Sequence, residues 1–368
     1  VSNIKTPALS ALVSVMLLAG CDNQASENES AQNDASKSND SSVTLSLAQA
    51  FPNKHPGGIY SDKFAKLINE RTDGAVNINV HHNGVLGSEA EEIQQLQAGS
   101  LDLALLYGVS NFQNLNAKLG VEELPFIFES SEHARRAYDG EYGKAVSKIL
   151  KDEGFEVLSY WENGMRHFTN NVRPIVDPED MQGIKFRSAE VPIRLKMFEM
   201  LGASAIPMGF TELFTALQQG TVDGQENPIA LIHANNFYEV QDYLSLSGHI
   251  YNSAVLTASP KAMAKLTPEQ QKILRDTAEE MKVEERQMIS EQNAELLADL
   301  KEKGMQVNSI DKQAFEKVVH PLWDSFAKEN GDELIKLILK AKPSNAGNAS
   351  APQESTKAAS VSHDAQAS

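Results

Sequence analysis

Apolar and polar positions alternate at Val43-Thr44-Leu45-Ser46-Leu47 and again at Val76-Asn77-Ile78-Asn79-Val80, the period of half-buried strands. Between them Phe64, Leu67 and Ile68 recur at helical spacing, and Gly74 ends the run. Ser88 with Glu91 makes a capping-box pair, which opens a helix with apolar positions Ile93 and Leu96 and closes at Gly99. Leu101 to Leu106 reads as a buried strand. The pattern then predicts a helix over 131–150, strands over 155–160 and 184–187, and helices over 191–201 and 211–219. Thr267-Pro268-Glu269-Gln270 supplies an N-cap and a first-turn proline for a long helix, running to Lys303 where Gly304 stops it. Alternating strands and helices predict α/β layers, and a body of about 300 residues exceeds what one core usually supports, so two lobes are expected.

The flanks are different in kind. Residues 22–42 hold no large apolar side chain, and from Pro343 to Ser368 Val361 is the only sizeable one. Such segments bury too little surface to order themselves, which leaves a folded body of roughly 43–342. At the start, Lys5 precedes an apolar run from Ala8 to Ala19, too short to span a bilayer and of the kind found in export leaders. It ends in Leu18-Ala19-Gly20-Cys21, which resembles a lipoprotein lipobox, and Cys21 is the only cysteine of the chain. Cys21 therefore has no internal disulfide partner and stands where a lipid would be attached; the alternative is an ordinary leader with an incidental cysteine. Asp22 resembles a signal for retention at the inner membrane.

A formal charge of −17 argues against a nucleic-acid surface and against adsorption to anionic lipid. An anion-binding site in such a chain must concentrate positive charge locally. His81 and His82 are adjacent on a strand and face opposite sides, so they do not chelate together. No His-Glu-x-x-His, paired-cysteine, Gly-x-Ser-x-Gly or phosphate-loop pattern is present, and no metal or cofactor is expected.

Local positive charge does occur. Arg166, Arg173, Lys185, Arg187, Arg194 and Lys196 crowd into one region. Arg187 ends the strand-like Ile184-Lys185-Phe186-Arg187, just before a break and a helix, and ligands in α/β folds bind beyond the carboxyl ends of strands. A guanidinium there holds a carboxylate through two parallel charge-assisted hydrogen bonds, which lysine cannot do. The plain alternative is a surface arginine in a salt bridge.

From about 43 to 340 the chain resembles the substrate-binding proteins of tripartite ATP-independent periplasmic (TRAP) transporters, the dicarboxylate-binding family. The match is carried by Asn83-Gly84-Val85-Leu86-Gly87, Leu124-Pro125-Phe126, Trp161-Glu162-Asn163-Gly164-Met165-Arg166, Arg173-Pro174, Gly183-Ile184-Lys185-Phe186-Arg187, the run Leu217 to Pro228, and Phe237-Tyr238-Glu239-Val240-Gln241. The resemblance implies a two-lobed, periplasmic-binding-protein-like α/β fold with hinge strands and a long lobe-spanning helix. Laid on this chain, it implies a leader at 1–20, a tether at 21–42, lobe I from 43–163 and 252–290, lobe II from 164–251 and 291–342, and a tail at 343–368. It also implies a periplasmic receptor, by default a monomer, that captures a small organic anion for TRAP membrane subunits, with no enzyme activity and no ATP-binding subunit. A lipid on Cys21 would add a membrane anchor.

By position Arg187 matches the family's main carboxylate-binding arginine and Arg166 a second one. Asn227 matches an amide that bonds ligand or Arg187, and Phe210 an aromatic wall, or else plain core. Glu89 and Tyr107 match more variable positions on the other lobe, although Glu89 in the first turn of a helix is explained by the helix dipole alone. Trp161 is expected near the lobe junction, as ligand wall or hinge core, and Glu226 to orient neighbours; Asp223-Gly224 looks like a turn. Many members follow the arginine with Val-Pro; here Ser188-Ala189-Glu190 follows, so the pocket edge differs. The polar set Asn163, His167, Gln225 and Asn227 favours a hydroxylated sugar acid or uronate over a C4-dicarboxylate. Two rivals share these residues: a lipoprotein enzyme on sugar acids using Glu89 or His167 as acid–base, and a receptor for a sensor kinase.

Overall fold

The two alternating runs form β1 (Val43–Gln49) and β2 (Val76–His81), parallel neighbours joined through helix α1 (Pro56–Arg71), in a computed structural model that describes residues 42–343. The leader, Cys21 and all but one residue of each polar flank lie outside those residues. Helix α2 (Glu89–Ala98) has the expected capping box: the Glu91 carboxylate accepts the Ser88 N–H at 2.8 Å while Ser88 Oγ accepts from Glu91 N–H, and Gly99 takes the left-handed conformation at φ +69°. β3 (Leu103–Leu106) follows, wholly buried beside β1.

The single helix expected over 131–150 is two, α3 (Ser131–Asp139) and α4 (Glu141–Asp152), broken at Gly140. The second helix starts so close to the end of the first that a Cβ on Gly143 would lie 1.8 Å from the Tyr138 carbonyl oxygen. Next comes β4 (Glu156–Asn170), far longer than the stretch the sequence marks. Then follow β5 (Lys185–Ser188), α5 (Pro192–Met200), β6 (Ser204–Pro207) and α6 (Leu213–Gln218), the last entered through a 3₁₀ turn over Phe210–Glu212. Gly224, expected in a turn, is the first residue of β7 (Gly224–Pro228), which leads into α7 (Ile229–Ala234). A second long strand, β8 (Tyr243–Ala258), has no counterpart in the sequence reading. α8 (Pro260–Ala264), α9 (Pro268–Glu302), β9 (Gln306–Ser309), α10 (Lys312–Val319), α11 (Pro321–Asn330) and α12 (Glu333–Lys340) complete the described chain. α9 starts and stops where the cap, proline and glycine signals put it.

All nine strands join one sheet in the order β2-β1-β3-β8-β4-β7-β5-β6, with β9 on the other part of β8. The carboxyl end of β8 pairs with β3 (Leu103 opposite Ala258), while its start pairs with β9 (Tyr243 opposite Gln306). β4 runs antiparallel to β8 along almost its whole length. These two strands cross from one lobe into the other, and the chain is a two-lobed α/β fold with hinge strands and a long helix, as expected. Their periodicity is hidden in the sequence because Glu162, Asn163, Arg166, Asn252 and Ser253 are polar yet buried. Register shifts between Glu162 and Gly164 and between Arg166 and Phe168 bend β4 at that crossing, which is how bulges re-aim side chains.

Leu47, Phe64, Leu256 and Met281 belong to a core under β1, α1 and α9; Leu217, Ile232, Leu244 and Leu300 form another near α6 and α7. A larger cluster links α3 and α4 with α5 and the last three helices through Tyr142, Phe186, Phe198 and Ile338. Trp161 is core and not ligand wall: it is fully buried, edge-on to Phe64, and its Nε1–H donates to the Ala278 carbonyl of α9 at 2.9 Å. Among the described residues no helix is long and apolar enough to cross a membrane, and no group of three or more metal-type ligands is gathered.

Candidate functional site

Arg187 is the penultimate residue of β5, 5% exposed and facing a cavity of about 390 Å³ including its mouth. Its Nε and Nη2 both donate to the Met208 carbonyl oxygen, at 3.0 and 2.8 Å, and its guanidinium carbon stands 5.9 Å from the centroid of the Phe210 ring. Nη1 makes no hydrogen bond, and no carboxylate pairs with the group, among the described residues. Burial draws its pKa down to about 9, which still leaves it charged at neutral pH. A buried cation held by one neutral carbonyl, with N–H groups to spare, is arranged to receive an anion.

The other two arginines in the cavity wall are already neutralised. Arg166, aimed inward from the bulged part of β4, chelates the Glu226 carboxylate of β7 through Nε and Nη2 and donates from Nη1 to Asn252 Oδ1 at 2.9 Å. Arg194, from α5, clamps Glu123 with Nε at 2.9 Å and Nη2 at 2.6 Å, and reaches Glu226 with Nη1 at 3.0 Å. Burial alone would raise Glu226, but Arg166 and Arg194 overcome it and hold the carboxyl well below the usual range. Burial likewise opposes the Arg194 charge, and Glu123 and Glu226 outweigh it. Glu226 thus orients both arginines, and His249 Nε2 lies 3.4 Å from it on the far side. Behind Asn252, Glu122 is pushed up to about 7 by burial and by its neighbour Glu123.

The opposite wall comes from β3 and α2. Tyr107 stacks on Phe51 at 3.7 Å and donates its hydroxyl proton to Gln49 Oε1. Glu89 keeps partial exposure, but its carboxyl is largely desolvated, and that pushes the pKa up to about 7 against the Tyr107 N–H and the arginines. Its Oε1 accepts the Tyr107 N–H at 2.6 Å and Asn111 Nδ2 at 3.2 Å; Oε2 accepts nothing within the described residues. Phe210, 4.9 Å from Phe51 and 6.3 Å from Phe237, is both wall and edge of a core.

The structure therefore gathers Arg187, Arg166, Asn227, Phe210, Glu89 and Tyr107 around one cavity. His167 is the exception. It follows Arg166 on the strand, turns away from the cavity, and accepts the Gly248 N–H on Nδ1 at 3.0 Å. Burial, then His249 and Arg166, lowers its pKa to about 3, so it is a neutral structural histidine. Gln225 likewise lies off the wall, bonded to Thr169 and Asn227, and no Asn227–Arg187 bond is present. Of the other basic residues, Arg173 donates to the Asp180 and Gln182 carbonyls and Lys196 pairs with Glu199, away from the cavity.

Asn163 is the lining residue with the plainest sign of a missing partner: 1% exposed, with neither Nδ2 nor Oδ1 hydrogen-bonded. Ser110, Asn111, Arg194 and Asn252 also line the wall and were not singled out as site residues from the sequence. A buried-acid partner for each arginine would have flagged Arg194, but Glu123 lies far away in the chain. A wider groove between α5 and α11, lined by Pro192, Ile193, Leu322 and Phe326, holds neither an arginine nor an unpartnered buried polar group.

Across residues 47–330 the chain matches the family described as bacterial extracellular solute-binding protein, family 7. It is 34% identical over 301 residues to a solute-binding protein of Verminephrobacter eiseniae, covering 82% of this chain and 88% of that one. It is 32% identical over 284 residues to the 2,3-diketo-L-gulonate-binding periplasmic protein YiaO of Escherichia coli K12, covering 76% and 86%. A TRAP periplasmic solute binding protein of Polaromonas sp. JS666, solved bound to D-erythronate, superposes with a TM-score of 0.79 at 35% identity, over 82% of this chain and 100% of that one.

Proposed function

This chain belongs to bacterial extracellular solute-binding protein family 7, the receptors of TRAP transporters, and from that premise we propose that Arg187 captures the carboxylate of a small organic acid between the two lobes. The observation that carries the assignment is the state of Arg187: buried, charged, bonded to protein only through the Met208 carbonyl, and facing the cavity. The carboxylate would take the guanidinium edge that Nη1 leaves open. Asn163, Asn227 and Glu89 would bond the rest of the ligand, Phe210 and Tyr107 would bound it, and Arg166 would act from its place in the Glu226 pair.

Lobe I (43–163 and 252–290) and lobe II (164–251 and 291–342) would close by a hinge motion about β4 and β8, driven by contacts that exist only when both walls meet the ligand. Closure removes water and strengthens the arginine–carboxylate pair. The closed receptor would then deliver its cargo to TRAP membrane subunits, held at the inner membrane by a lipid on Cys21. Relatives bind acids of this kind: D-erythronate in the Polaromonas protein and 2,3-diketo-L-gulonate in YiaO.

The test is a thermal-shift screen of protein unfolded and refolded to strip bound ligand, against C4-dicarboxylates, uronates, aldonates and keto acids. A ligand at 100 times its dissociation constant stabilises by about 2.7 kcal/mol, a shift of several degrees for a chain of this size. A shift with one class of acid supports the reading. Folded protein that shifts with none of them contradicts it.

A further inference from the structure

Charge in the cavity wall can be counted residue by residue. Arg166 and Arg194 are matched by Glu123 and Glu226, a closed set of two cations and two anions. No lysine or histidine lines the cavity, so among the described residues Arg187 is the one lining cation without a carboxylate partner. A single ligand carboxylate therefore uses all the uncompensated positive charge. The rest of the lining offers Glu89 from the opposite wall, with Oε2 free to accept, and Asn163 from β4, with a free acceptor and a free donor.

We infer that the site selects polyhydroxy monocarboxylates and rejects dicarboxylates, with Glu89 as the residue that makes the distinction. The inference rests on the carboxylate-receptor reading above. A second carboxylate would find no unneutralised cation, and the wall would offer it the carboxyl of Glu89 in place of a positive group. Hydroxyl groups suit the same wall, because each donates to Glu89 Oε2 or Asn163 Oδ1 and can also accept from Asn163 Nδ2. Succinate has no hydroxyl donor to offer. It would leave the buried Asn163 amide without a hydroxyl partner, the situation in which polar sites discriminate most strongly.

Isothermal titration of the stripped protein with succinate and D-erythronate compares two four-carbon acids that differ in this respect, and D-galacturonate adds a longer hydroxy acid. At least one hydroxy acid is expected to bind wild type about 100-fold more tightly than succinate. Glu89→Gln keeps the shape and replaces the ionisable carboxyl with a neutral amide. It is expected to strengthen succinate binding roughly tenfold and weaken the hydroxy acid by a similar factor. Asn163→Leu should weaken the hydroxy acid alone. Succinate binding wild type as tightly as either hydroxy acid, or an unchanged preference in both variants, overturns the inference while the receptor reading stands. Folded wild type that binds neither class overturns the receptor reading, and the inference with it.

Discussion

Arg187 donates from Nε and Nη2 to one acceptor, the carbonyl oxygen of Met208, at 3.0 and 2.8 Å. That carbonyl belongs to the residue directly after β6, whose Pro207 stands opposite Ser188 in the sheet. Strand pairing thus fixes the plane of the guanidinium before any ligand arrives.

An uncompensated buried cation costs stability in the empty protein and is retained for binding. Arg187→Met is therefore expected to raise the melting temperature without ligand while weakening carboxylate binding by roughly 100-fold or more. Arg187→Lys keeps the charge but loses the planar fork, and should weaken binding by about tenfold or more. Titration calorimetry and thermal unfolding of the two variants read both effects. Binding by Arg187→Met within twofold of wild type would show that the anchor lies elsewhere.

Glu226 stands between two arginines, and its removal strips Arg166 of its only carboxylate among the described residues while Arg194 keeps Glu123. Glu226→Gln is expected to cost about 3–5 kcal/mol of stability, measured by urea unfolding. Removing Glu123 alone should cost a similar amount, because Arg194 then loses its clamp. The paired change Glu123→Leu with Arg194→Met should cost much less than either single change, since no buried charge is stranded. Additive losses in that cycle would mean the two residues do not act as a pair.

Gly164 has φ +114°, beside the register shift that turns Asn163 and Arg166 into the cavity. A Cβ there would meet nothing closer than 3.6 Å, so the effect of Gly164→Ala is torsional and not steric. We expect a loss of about 1–3 kcal/mol in stability together with weaker ligand binding. Unchanged affinity in the alanine variant would separate the bulge from the site.

Glu92 lies on α2 three residues after Glu89, fully buried, with neither carboxyl oxygen hydrogen-bonded. Burial first, then Glu89 and Glu91, pushes its pKa up to about 8, and burial raises Glu89 and Glu122 to about 7. In the unfolded chain these groups return to the ordinary 4.5. Between 4.5 and 8 the folded state holds more protons at these groups than the unfolded state, so their contribution to stability falls as pH rises. Glu226 has the opposite sign, but its contribution is lost only below its unfolded value of 4.5. Glu92 by itself is expected to cost the ligand-free protein roughly 2–4 kcal/mol of stability between pH 5 and pH 8; His55 and His167, buried with pKa lowered to about 3, act in the opposite direction below their unfolded value of 6.5. Urea unfolding across this range should show a shallower slope for Glu92→Gln; a slope identical to wild type would place the ionised Glu92 in a solvated setting.

Some of this was legible from local sequence. The capping box at Ser88 and Glu91 and the ends of α9 depend on atoms three or four residues apart, so their residue types suffice. The crossing strands were not legible, because a strand buried on both faces and lined with paired polar groups shows neither alternation nor an apolar run. The same cause misplaced His167 and Gln225. Which face a residue takes near a bulge is decided by the partner strand, and Arg166, not its neighbour, turns inward.

By itself the sequence determined that this is a two-lobed α/β receptor, and it put an arginine at the end of a strand where an anion would dock. It also showed that the positive charge of an acidic chain is concentrated between Arg166 and Lys196. Only the tertiary structure decided which of those cations line the cavity, and which of the three that do remains without a carboxylate. Glu123 and Glu226 neutralise Arg194 and Arg166 from distant stretches of chain, and nothing pairs with Arg187 among the described residues. Neutralisation is a matter of a few ångströms in a desolvated interior, and sequence distance does not carry that information.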